Sequence, residues 1–252
     1  MNPIEFYQIK SQKNYEAATT RAIDNPELFW SEIASTFSWF KKWNQVLSFD
    51  WSIPKTEWFI NGKLNITVNW LDRHVDKSPD KLAILWEPND PNDKSVKYTY
   101  AELLSLVCKI ANGLKNQGIK TGDRVCIYMQ MIPELAIAML ACSRIGAIHS
   151  IVFGAFSSNS LKDRINDSEC KVVITQDTGV RGLKVDIPMK ENVDKALLDC
   201  PTIEKVFVVK RTSSDIKMDK NRDLWWHEEM SNISKFCEPE WMDSEDPLFI
   251  LY

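Results

Sequence analysis

Residues 124–157 read RVCIYMQMIPELAIAMLACSRIGAIHSIVFGAFS, and this run decides the fold class. RVCIYM is a continuous apolar strand. IPELAIAMLACSRIG is a helix with proline in its first turn and Gly146 at its end, where a left-handed residue closes a helix. AIHSIVF is a second apolar strand. Two buried strands joined by a helix form a right-handed crossover, so they lie parallel in a sheet covered on both faces.

The same alternation continues on both sides. Upstream, KLAILWE and VKYTY are short strands separated by the polar loop PNDPNDKS. Thr99 and Glu102 then form a capping box for a helix that runs to Gly118. Downstream come helix SSNSLKDRINDS, strand KVVITQD, helix KENVDKALLDC and strand KVFVVK. RTSSDIKMDKNRD reads as a surface loop, LWWHEEM as a helical turn and PLFILY as a last strand. The expected class is α/β, a mostly parallel sheet with helices on both faces, spanning 81–252.

Residues 1–80 differ in texture. Seven of the ten tryptophans fall between Trp30 and Trp86, and Gly62 is the one glycine before Gly113. Asn25 is placed to cap a helix with Pro26 at its first position. Asn61-Gly62 between apolar pairs predicts a hairpin. NITVNWLDRHV puts Ile66, Trp70, Leu71 and His74 near one helical face. This Trp-rich α+β segment is expected to be an arm rather than a catalytic unit.

Composition narrows the function classes. Thirty-one basic against 35 acidic residues give a formal charge of −4, so nothing points to nucleic acid or an anionic membrane. No stretch approaches the roughly 20 apolar residues of a bilayer span. The N-terminus has no leader pattern, and the expected location is the cytoplasm. Six cysteines at 108, 126, 142, 170, 200 and 237 lack CxxC spacing and read as buried thiols.

Ligands of open α/β sheets bind beyond the carboxyl ends of the strands. Two such loops carry candidate chemistry. After SIVF come Gly154-Ala155-Phe156-Ser157, small enough for a planar group to approach the backbone, or simply a tight strand-to-helix turn. After KVVITQD come Thr178-Gly179-Val180-Arg181-Gly182-Leu183-Lys184. Its two cations suit a phosphate, one as a fork and one as a point charge, or are solvated surface charges. No GxxxxGK[ST], GxGxxG or GxSxG occurs. His149 reads as a hydrogen-bonded core histidine, His74 and His227 as isolated, and Trp225-Trp226 as an anchor. No catalytic group is evident.

Several blocks in order, LNITVNWLDRH, YTYAELL, GDRVCIYM, residues 128–157, DLWWHEEM and SEDPLFILY, resemble AMP-forming acetyl-CoA synthetases, members of the adenylate-forming ligases. The resemblance runs from about Phe29 to Tyr252. It implies an enzyme that converts acetate, ATP and CoA through acetyl-AMP to acetyl-CoA, AMP and pyrophosphate, with Mg2+. It also implies that the chain is the N-terminal portion, the arm and an incomplete large domain. The family continues past PLFILY into a phosphate loop of the form TSGSTGKPKG, and its ATP, Mg2+ and acetate sites lie further on. Within the present residues the resemblance implies part of the CoA site. Arg181 matches the first arginine of a GVRxGR pattern that engages the CoA 3′-phosphate, and Gly182 and Leu183 fill the next positions. Lys184 stands where a second arginine is usual. Gly154 and Ala155 match the two glycines of FGGFS beside the CoA adenine. Neighbouring possibilities are a short-chain synthetase acting on propionate and a truncated, non-catalytic binding module that exposes LFILY.

Overall fold

The computed structural model describes residues 9–252, which divide into two compact units. One comprises residues 9–65 with Trp241–Asp246, the other Ile66–Glu240 with Pro247–Tyr252.

The smaller unit begins with α1 (Gln12–Asp24) and α2 (Pro26–Ala34). Asn25 caps α2 by accepting from the Leu28 amide at 3.1 Å, with Pro26 at the first helical position as expected. Strands β1 (Gln45–Asp50) and β2 (Lys55–Ile60) then pair antiparallel. Trp39, Trp43 and Phe59 pack ring against ring at 4.9–5.6 Å, and Trp39 donates its indole N–H to the Ala34 carbonyl.

Asn61-Gly62 does form a tight turn, with Asn61 at φ +62° and the Gly62 amide bonded to the Phe59 carbonyl. It is not the turn of a two-stranded hairpin. The short strand that follows, β3 (Lys63–Leu64), leaves β2 with β1 and pairs with Met242–Asp243. Gly62 is required for another reason: a Cβ there would lie 2.7 Å from the Trp39 ring.

The larger unit opens with a π-helical turn, Val68–Asp72, continued by the single-turn α3 (Arg73–Val75). The wider i→i+5 winding shifts the expected face, so Leu71 is buried while Trp70 is exposed. Arg144 explains the anchoring of this turn. Its guanidinium, 3% exposed, is bidentate to Asp72 at 2.8 and 3.0 Å and also donates to Thr67 and the Cys237 carbonyl.

Next come β4 (Leu82–Trp86) and β5 (Val96–Thr99), an antiparallel pair. The Thr99–Glu102 capping box is formed, and α4 (Tyr100–Asn116) ends before Gly118 at φ +87°. The central run gives β6 (Arg124–Met129), α5 (Pro133–Arg144) and β7 (Ile148–Phe153). Then follow α6 (Ser158–Ser168), β8 (Val172–Gln176), β9 (Gly179–Arg181), β10 (Lys184–Ile187), α7 (Met189–Leu197) and β11 (Lys205–Val209). After a loop come β12 (Asp223–Trp225), α8 (Trp226–Glu229), the already mentioned β13 (Met242–Asp243) and β14 (Phe249–Ile250). Leu224-Trp225 is thus strand rather than helix, and Trp226 is buried.

Six strands form one fully parallel sheet in the order β12-β11-β8-β6-β7-β14. Alternate residues feed two cores. Val125, Ile127, Ile174 and Phe207 pack with α4 and α5, while Cys126, Tyr128, Val173 and Val208 pack with α6 and α7. This two-sided burial is why the strands read as unbroken apolar runs. All six cysteines are free and buried.

The connection from β6 to β7 uses α5 on one face, and that from β8 to β11 uses α7 on the other. The loops leaving β6 and β8 therefore diverge, opening a crevice at their carboxyl ends.

Candidate functional site

A cleft of about 820 Å³ lies at those carboxyl ends. Gly154, Ala155, Arg181 and Lys184 line it together with Trp86, Asn89, Gln130, Phe156, Arg164 and Arg211. The two loops singled out from sequence, about 25 residues apart, thus meet in one place. Gly182 and Leu183 are not in its wall.

The segment expected to be a loop after β8 is a hairpin. Arg181 in β9 faces Lys184 in β10, and Gly182-Leu183 forms the two-residue turn. Gly182 sits at φ +59° and Leu183 is fully exposed. Three polar ties fix the hairpin's base and tip. Gln130 Oε1 accepts from the Val180 amide at 2.9 Å. The Asn89 side chain donates to the Gly182 carbonyl and accepts from the Gly182 amide, both at 3.0 Å. Gly179 leaves room for Gln130, whose amide would lie 2.6 Å from a Cβ there.

The loop after β7 is held from below. The Tyr128 hydroxyl donates to the Phe156 carbonyl at 2.8 Å, and burial pushes the pKa of this phenol up. Gly154 is buried, and a Cβ on it would meet the Met129 carbonyl at 3.0 Å and the Met189 methyl at 3.1 Å. The turn needs this glycine for its own packing. Ala155 is exposed at the cleft.

The electrostatics are one-sided. Four cationic side chains, Arg164, Arg181, Lys184 and Arg211, line the cleft against one carboxylate, Glu87. Arg164 lies between Phe156 and Tyr252, its guanidinium carbon 4.6 and 5.3 Å from the two ring centroids. Arg211 lies over the Trp86 indole at 5.0 Å. In a chain of net charge −4, this concentration of cations beside aromatic faces suits an anionic ligand that carries a planar group.

Trp86, Asn89, Gln130, Arg164 and Arg211 were not read from the sequence as site residues. Gln130 carried a signal, being the polar residue that ends the apolar run RVCIYM. Asn89 lay in a polar loop like any other.

Elsewhere, His149 is buried as expected. It is not fully hydrogen-bonded: among the described residues its Nδ1 has no partner, and neither has the Ser150 hydroxyl. Burial lowers the His149 pKa to about 4, so it is a neutral core residue rather than a base. Among the described residues no group of three His, Cys, Asp or Glu side chains could hold a metal ion. No helix among them is long and apolar enough to cross a membrane.

Residues 71–252 match the family model described as AMP-binding enzyme, and residues 15–70 that described as acetyl-coenzyme A synthetase N-terminus. The chain is 52% identical over 243 residues to an acetyl-coenzyme A synthetase of Magnetococcus marinus and 52% identical over 244 residues to one of Saccharophagus degradans. In each case the match takes in 96% of this chain and 37% of the relative. The acetoacetyl-CoA synthetase from Streptomyces lividans superimposes with a TM-score of 0.84 at 24% identity, over 92% of this chain and 35% of that one, which shows a common fold. The chain spans little more than a third of the length of these relatives. It belongs to the AMP-binding enzyme family, and its residues 15–70 match the acetyl-coenzyme A synthetase N-terminus.

Proposed function

We propose that this chain is the N-terminal portion of an acetyl-CoA synthetase and that its cleft holds the nucleotide end of CoA. The convergence of the Arg181/Lys184 hairpin and the Gly154-Ala155 turn on one cationic, aromatic-walled cleft carries the proposal. Arg181 offers a forked donor to the 3′-phosphate, and Lys184 adds a point charge without the fork. Gly182 and Leu183 serve by forming the turn that sets the spacing of these two cations. Ala155 and Phe156 border the place for the adenine.

The whole protein would activate acetate with ATP to acetyl-AMP and pyrophosphate, then pass the acetyl group to the CoA thiol. The ATP, Mg2+ and acetyl sites are assigned to sequence beyond Tyr252, which also completes the CoA site, so the 252-residue chain is expected to hold CoA weakly and not to catalyse. Acetate-dependent ATP–pyrophosphate exchange by the purified chain would contradict this. The domain division proposed is an arm, 1–80, and the first α/β subdomain, 81–252, with the remainder of the protein as its partner. Propionate in place of acetate is an equal fit to the present residues, because none of them measures acyl length.

Calorimetric titration with CoA and with 3′-dephospho-CoA tests the site. The expected result is tighter binding of CoA, with the difference removed by Arg181→Gln. Equal affinity for the two ligands would remove Arg181 from this role.

A further inference from the structure

We infer that Arg211 is a second anion-binding residue of the cleft, taking a phosphate group of the ligand other than the one held by the Arg181/Lys184 hairpin. The inference rests on the proposal that a CoA-type nucleotide occupies the cleft, and extends it to a residue from a different strand.

Three observations carry it. First, Arg211 is uncommitted. Among the described residues its guanidinium carries no hydrogen bond or ion pair, and its one resolved contact is the Trp86 face. By contrast Arg124, Arg144 and Arg222 are all paired with carboxylates. A partly buried arginine left without a carboxylate has its donors free for an anion from outside. Glu134 lies within its electrostatic reach without forming an ion pair, and burial raises that carboxyl's pKa.

Second, Arg211 is held in place from both ends. The Trp86 indole N–H donates to the Met131 carbonyl at 2.8 Å, which fixes the ring under the guanidinium. The fully buried Asp177 carboxylate accepts from the backbone amides of Arg211, Thr212 and Ser213 at 2.8–3.2 Å. The same carboxylate accepts from the Thr178 amide at 2.7 Å, so it ties the start of this loop to the end of β8 and stabilises a single course for it. Ser213 adopts φ +62° there, a left-handed conformation for a non-glycine residue. Strain and a buried charge together position the start of what the sequence offers as an ordinary surface loop.

Third, Arg211 leaves β11, two strands from β6, while Arg181 leaves the hairpin after β8. Both line the same cleft. Cations on separate elements suit a ligand with separated anionic groups, and CoA carries a 5′-pyrophosphate besides its 3′-phosphate.

The test compares CoA with 3′-dephospho-CoA on the intact chain and its Arg181→Gln, Arg211→Gln and Arg211→Lys variants, with thermal unfolding run beside each. Arg181→Gln is expected to weaken CoA about tenfold while leaving dephospho-CoA nearly unchanged, one charged hydrogen-bonding partner being lost. Arg211→Gln is expected to weaken both ligands by a similar factor, about tenfold. Arg211→Lys should recover part of that loss in both. Unchanged affinities in Arg211→Gln, with the Arg181→Gln pattern intact, overturn the role of Arg211 and leave the CoA proposal standing. Absence of binding of either ligand to the unsubstituted chain overturns both. If Arg211→Gln does not fold, Arg211→Lys decides: a drop for both ligands supports the role, and no drop for either overturns it.

Discussion

Asn89 and Gly182 hold each other through two 3.0 Å hydrogen bonds across 93 residues of sequence. The side chain amide reads both backbone groups of the turn residue, so it acts as one more strand position at the hairpin tip. This ties the Arg181/Lys184 pair to the polar loop that follows β4.

Asn89→Ala removes both bonds from an exposed site, where the stability cost is expected to stay within about 1 kcal/mol. Its effect should appear in mobility. Hydrogen exchange at Gly182 and its neighbours is expected to accelerate, with weaker binding of CoA and an almost unchanged melting temperature. Unaltered exchange at Gly182 would show that the turn holds without Asn89.

Asp72 and Arg144 form the chief buried ion pair of the π-helical turn, with Arg144 at 3% exposure. Asp72→Ala leaves that guanidinium without its counter-ion, which costs about 3–5 kcal/mol when a buried pair is broken on one side. The denaturant midpoint should fall accordingly. A loss of less than about 1 kcal/mol, the range of surface pairs, would contradict the assignment.

His149 should make stability pH-dependent. Its pKa is about 4 in the folded chain, against about 6.5 when exposed. The unfolded chain therefore binds a proton first as pH falls. The stabilisation is complete above pH 6.5 and is lost as pH drops from there toward 4, by at most about 3 kcal/mol. Asp223, its pKa lowered by Arg222 and Lys190 despite burial, loses stabilisation in the same direction at lower pH. Unfolding measured from pH 7.5 to 4 should show a shallower decline in His149→Phe than in the parent. Identical slopes would remove His149 from the pH response.

Lys184→Arg restores a forked donor opposite Arg181. Affinity for CoA is expected to rise a few-fold, and affinity for dephospho-CoA to stay level. A parallel rise for both ligands would mean that position 184 serves general electrostatics and not the 3′-phosphate.

The parts of this fold legible in sequence are those whose causes are local. Asn25-Pro26, the Thr99–Glu102 box and the glycines 118 and 146 each act within one turn of a helix, and each is where the sequence puts it. Continuous apolar strands also report their burial on both faces directly. The misread elements depend on distant partners. Asn61-Gly62 resembles a hairpin turn, yet the strand after it pairs with residues near 242. Residues 68–72 share a helical apolar pattern, but their winding goes with a guanidinium from Arg144. In the cleft, Arg181 and Lys184 could be picked out because they sit together in sequence. Trp86, Gln130 and Arg211 could not, since they come from the ends of β4, β6 and β11, elements far apart in sequence that meet only in the fold.

Hydrogen–deuterium exchange with and without CoA tests most directly whether the cleft is the binding surface. Slower exchange is expected at residues 154–156, 179–184 and 211–213 in the presence of CoA, with no change across the β1–β2 pair. Protection confined to other segments, or none at ligand concentrations that saturate binding, would contradict it.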